Sequence, residues 1–116
     1  MTNKKLVVII LNQEEFLEEL IQGFIELDVR GATIIDSVGM GQILSQELPI
    51  FGGLASLMTG ARPYNKTILT VVEPEKIPEI KEVYQQICGS LSDSGTGLIL
   101  SIPLDFIEGL PDKSLS

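Results

Sequence analysis

Histidine is absent from this 116-residue chain, and cysteine occurs once, as Cys88. The first absence removes the commonest metal ligand and the usual general acid–base at neutral pH. A lone cysteine forms no disulfide within its own chain, and no histidine is present to activate it or any serine. A Ser–Lys pair stays open, with nothing in the sequence to mark one. Enzymatic activity is therefore not expected. Positive charge is scarce as well: eight Lys and Arg stand against sixteen Asp and Glu, giving a net charge of −8. A field of that sign repels phosphate backbones and anionic membrane surfaces, so nucleic acid is not an expected partner. No apolar run approaches the roughly 20 residues that span a bilayer. The run Leu6–Leu11 after Lys4 and Lys5 is also too short for a secretory signal. The expectation is one cytoplasmic domain over residues 1–116, large enough to bury a core without a disulfide or metal.

What the chain does hold is an ordered series of elements. Leu6-Val7-Val8-Ile9-Ile10-Leu11 predicts a strand buried on both faces. Asn12 can cap a following helix whose first turn carries Glu14 and Glu15. Phe16, Leu17, Leu20, Ile21, Phe24 and Ile25 then recur at helical spacing, with acidic residues mainly on the other side. The segment Asp28-Val29-Arg30-Gly31 ends this helix, with Gly31 free to take a positive φ. A second strand over Ala32–Val38 stops at Gly39-Met40-Gly41. Residues 45–65 form a long connection with Pro49, Gly52, Gly53, Gly60 and Pro63, and with room for a helical turn over Leu54–Met58. Connections of that length in a compact domain usually carry function or move. Lys66–Glu73 is a third strand, Pro74 opens a second helix striped by Ile77, Ile80, Val83, Tyr84 and Ile87, and Leu98–Ile102 is a fourth strand.

The order β-α-β-β-α-β predicts an α+β, ferredoxin-like fold: a four-stranded antiparallel sheet with both helices on one face. Strands one, three and four are too apolar to offer a clean polar face to water. An uncovered apolar sheet face predicts self-association.

Several groups invite a functional reading, and each has a plain alternative. Gly39-Met40-Gly41 is either a binding turn or only the end of a strand. It is no dinucleotide fingerprint, because Leu44 stands where the third glycine belongs and a loop follows. Gly95-Thr96-Gly97 reads as an anion cradle or, more simply, a turn. Glu14, Glu15, Glu18 and Glu19 read as a solvated helix face rather than a cation site. The connection holds an apolar stretch, with Phe51, Leu54, Leu57 and the nearby Arg62, that either covers the protein's own surface or docks another protein.

The stretch Arg30–Gln42 resembles the PII signal-transduction family, with Gly31 before the strand, Thr33 two residues on, and Gly39 and Gly41 opening the long loop. Asn65–Val72 followed by a Pro-Glu helix start, and the Gly95-Thr96-Gly97 turn, are similar to that family too. The resemblance covers residues 4–105. It implies a homotrimeric regulatory protein, linked to nitrogen or carbon metabolism, that binds a small molecule between subunits and controls an enzyme or membrane transporter through loop 45–65. Carried over by position, Gly39, Met40, Gly41 and Gln42 form one wall of the cleft, and Gly95, Thr96 and Gly97 the other lip. Thr33 arrives from the neighbouring subunit, and Lys66 lies near a basic residue of the family. The departures fall on the phosphate contacts: Leu98 replaces a lysine, and Phe106–Gly109 replace two arginines. An adenine nucleotide is the ligand the family implies, but these changes favour a less charged one, or none. No cofactor is required. The rival resemblance is to the trimeric CutA family, a binding or scaffold module. A small enzyme of this fold ranks last, for want of a base or nucleophile.

Overall fold

The computed structural model describes residues 2–40, 64–93 and 95–110. Its four strands are β1 (Lys5–Leu11), β2 (Thr33–Val38), β3 (Tyr64–Val72) and β4 (Gly97–Pro103). They form one antiparallel sheet in the order β2-β3-β1-β4. Two helices among the described residues, α1 (Leu17–Glu26) and α2 (Lys76–Cys88), pack against it. This is the α+β, ferredoxin-like arrangement that the element order implies.

The pleat sorts β1 into two sets. Val7, Ile9 and Leu11 are fully buried under the helices, where they meet Leu20, Phe24, Ile68, Ile80 and Tyr84. Leu6, Val8 and Ile10 point the other way. Register sets the rows of that second face: Leu6, Val71 and Ile102; then Val8, Leu69, Leu100 and Thr33; then Ile10, Thr67, Leu98 and Ile35. No ionisable side chain stands in these three rows. Ile35, Leu98, Leu100 and Ile102 are each about two-fifths exposed or more. The apolar uncovered face that the sequence implies is therefore present.

At one end this face closes with a polar row. Ser37 Oγ donates to Asn65 Oδ1 at 2.5 Å and lies 2.8 Å from Thr67 Oγ1. Asn65 Nδ2 donates to Asn12 Oδ1 at 3.1 Å. These side chains bond one another, which lowers the cost of burying the row.

Several boundaries differ from the sequence reading. Asn12 does not cap α1: its side chain goes to Asn65, and a 3-10 turn at Glu14–Phe16 precedes the helix. Gly31 does not end α1 with a positive φ. Asp28 does, at φ 67. Around it Val29 N–H donates to Phe24 O at 2.9 Å and Asp28 N–H to Ile25 O at 3.0 Å. That pair of bonds is a Schellman motif, and buried Val29 and Phe24 supply its apolar contact. Pro74 lies in the turn before α2 rather than in its first turn. β2 starts at Thr33 rather than Ala32, while β3 starts at Tyr64, two residues inside the connection assigned to 45–65. The rest of that connection, with the helical turn read over Leu54–Met58, lies outside the described residues. No helix among the described residues is long and apolar enough to cross a membrane.

Candidate functional site

The sheet has two ends. At the upper end β1 and β2 finish and β3 and β4 begin; at the lower end the reverse holds. Gly39 and Met40 follow β2 at the upper end, and Gly95, Thr96 and Gly97 lead into β4 at the same end. Strand order sets them on opposite edges, three spacings or about 14 Å apart. Thr33 lies at the other end of β2, five residues or about 17 Å from Val38. Within one copy these residues do not converge. Gly41, Gln42, Phe51, Leu54, Leu57 and Arg62 lie outside the described residues.

The Gly95–Gly97 turn is built around Tyr84. Its buried hydroxyl donates to Thr96 O at 2.8 Å, and Thr96 is 5% exposed. Burial pushes the phenol well above its ordinary pKa, with a smaller push from Cys88. Gly97 sits at φ 150, where a Cβ would collide with the Tyr84 hydroxyl and the Ile10 carbonyl. Packing thus demands a glycine here whether or not a ligand binds. Gly95 at φ 83 has open space around it and faces solvent.

Lys66 is committed to carboxylates. Its ammonium pairs with Asp36 opposite it in the ladder and lies 3.6 Å from Glu14 Oε1. The hydrogen bond to Asp36 leads the causes that raise its pKa. One cation between two acids leaves this part of the upper end with a negative balance, which disfavours a polyphosphate.

A cleft of about 560 Å³ opens at the lower end and includes Thr33. It exists because β2 begins opposite Leu69, so Thr70–Val72 of β3 run on without a β2 partner. Thr70 Oγ1 donates to Gly31 O at 2.6 Å and holds the incoming chain off the strand. The Schellman motif at Asp28 turns α1 toward the same place. Leu6, Val29, Leu69, Val71 and Leu110 give the cleft apolar walls. Lys4, Arg30 and Lys76 stand around it with Asp28 and Glu73. Lys4 pairs with Glu73 at 2.5 Å and Arg30 with Asp28 at 2.7 Å. Lys76 donates to Leu27 O at 2.5 Å and lies 3.5 Å from Glu79. Sequence reading singled out Thr33 but missed the three cations. Their positions, 4, 30 and 76, share no spacing and meet only through the sheet.

No family model matches the chain, and no curated protein is similar to it in sequence. Solved structures that share its architecture include these two. One is a functionally unknown protein from Pediococcus pentosaceus ATCC 25745, with a TM-score of 0.63 and 21% identity, covering 95% of this chain and 100% of that one. The other is Arabidopsis thaliana PII bound to citrate, with a TM-score of 0.60 and 14% identity, covering 89% of this chain and 78% of that one. At these identities the likeness is one of fold, and the fold is PII-like.

Proposed function

We propose that the chain is a PII-like regulatory protein that binds a small molecule between the copies of a homotrimer. The observation that carries this reading is the separation of Thr33 from Gly39 and Gly95–Gly97, combined with the uncharged open sheet face. Residues at opposite ends of one sheet share a site only if a second copy brings its upper end to the first copy's lower cleft. The apolar face supplies the drive for that association, since exposed patches of such extent mark interaction surfaces. Gly39 and Met40 of one copy, with Gly95, Thr96 and Gly97, would then face Thr33 of the next. Phe51, Leu54, Leu57 and Arg62 in the long connection would report occupancy to an enzyme or transporter of nitrogen or carbon metabolism. Such a signal requires the ligand to prefer one conformation of the connection over another. The role proposed is binding rather than catalysis, in keeping with a sequence that holds no histidine.

The Arabidopsis PII structure holds citrate, which makes a small carboxylate a sensible first probe beside ATP. Sedimentation velocity and thermal unfolding of the full chain test the reading together. The expected outcome is a trimer whose unfolding temperature rises with at least one of these compounds. A monomer at all concentrations, or a trimer that responds to neither, would overturn it.

A further inference from the structure

Resting on the reading of the lower cleft as the ligand site, we infer that its ligand is an amphipathic monoanion, a carboxylate with an apolar body. Three features define this class. First, the basic groups are concentrated. Lys4, Arg30 and Lys76 meet Asp28 and Glu73 in the cleft, and Lys76 also lies 3.5 Å from Glu79 at its edge, so the rim is balanced on a chain of net charge −8. Three of the eight basic residues gather at this one place. A single carboxylate asks little of such a balanced rim, whereas a triphosphate brings more negative charge than it can offset.

Second, the walls between the cations are apolar. Leu6, Leu69 and Val71 come from the open face of the sheet, and Leu110, from the chain beyond β4, lines the cleft with them. A ligand of acetate or phosphate size would leave these walls wet. Ligand sites are commonly about 300–1,000 Å³ and bury mostly apolar surface around a few orienting polar groups. The cleft's volume of about 560 Å³ falls in that range. Third, the cations keep donors to spare. Arg30 engages Asp28 through Nε alone in its ion pair. A guanidinium has five N–H donors in a fork that suits a carboxylate. Its side chain is 45% exposed, so a ligand can reach it.

The test uses NMR titration of the isotope-labelled full chain with sodium hexanoate, acetate, 1-hexanol and magnesium ATP. Hexanoate is expected to shift the amides of Gly31, Thr33, Val71 and Leu110 in a saturable way. Acetate, lacking the body, and hexanol, lacking the charge, are each expected to bind about tenfold more weakly or worse. Arg30→Gln and Lys4→Gln should each weaken hexanoate by about tenfold while leaving the rest of the spectrum in place. Both side chains are partly exposed, so neither change threatens the fold. Hexanol binding as tightly as hexanoate would overturn the inference, as would shifts confined to other surfaces. Displacement of hexanoate by ATP at lower concentration would overturn the ligand class. Sedimentation of the same samples separates this inference from the functional reading. A monomer that binds hexanoate at the cleft keeps the ligand and loses the assembly; a trimer that fails to bind it does the reverse.

Discussion

Gly97 and Tyr84 show how one residue serves as both turn and keystone. The Tyr84 hydroxyl reaches Thr96 O through space that a Cβ at position 97 would occupy. Gly97→Ala forces either the tyrosine or β1 to move, and adds backbone strain at φ 150. The expected cost is about 3 kcal/mol, read as a lowered urea midpoint with unchanged slope. Tyr84→Phe keeps the packing but leaves a buried carbonyl unpaired, for about 1–2 kcal/mol. Cys88, one turn further along α2, carries a pH signature. Burial, helped by Glu19 and Glu15, lifts its thiol from the ordinary 9.0 to about 11. The folded state therefore holds a proton that the unfolded chain has already lost, and stability is full below the lower value and declines as pH rises toward the upper. The loss should be on the order of 2 kcal/mol across that window. Tyr84, also raised, adds to it in the same direction at higher pH. Urea melts between pH 9 and pH 11 should show the decline, and Cys88→Ala should make it shallower. A flat profile would remove the thiol's contribution.

Helix packing decides the next scale. A Cβ on Gly23 of α1 would lie 2.7 Å from Val83 Cγ1 of α2. Gly23→Ala thus sets two terms against each other: alanine gains about 1 kcal/mol in helix propensity, while crowding at a packed contact costs about 1–3 kcal/mol. A net loss of about 1 kcal/mol is expected in chemical denaturation. Pairing it with Val83→Ala should restore part of the loss and so show that the contact is its source. Elements of this kind were readable from sequence because their signals are local: the β-branched run of β1, the apolar stripe of α2, the prolines and glycines between them. The residue that turns the chain at the end of α1 was not. Glycine is the usual residue of a left-handed helix stop, so Gly31 was the natural reading, yet the chain turns at Asp28. Only the bonds from Val29 and Asp28 back to Phe24 and Ile25 reveal it. The candidate site divides in the same way. Turn-forming Gly39 and Gly97 announce themselves, but the convergence of Lys4, Arg30 and Lys76 depends on strand order and on where β2 stops.

For the whole molecule, the open sheet face is the decisive surface. Its three central rows hold no charge, and the side chains of its polar upper row bond one another. Such a face strips no charge of its water when a second copy covers it, and each buried apolar side chain contributes about 1.5–3 kcal/mol. Leu100 is the place to test this. It lies beside Val8 in the middle row and is 39% exposed, while its neighbour Ile99 points into the core. Leu100→Asp therefore spares the helix-covered core and sets a carboxylate where a covering copy would strip its water. Burying an unpaired charge costs several kcal/mol, and in a symmetric assembly every copy bears that cost. The expected result is a chain with an unchanged far-ultraviolet circular dichroism spectrum that sediments as a monomer, while the parent sediments as a trimer. Leu100→Met, which keeps an apolar contact of similar volume, should leave the trimer intact. If the aspartate variant assembled as the parent does, the open face would not be the interface, and another surface would have to bring the copies together.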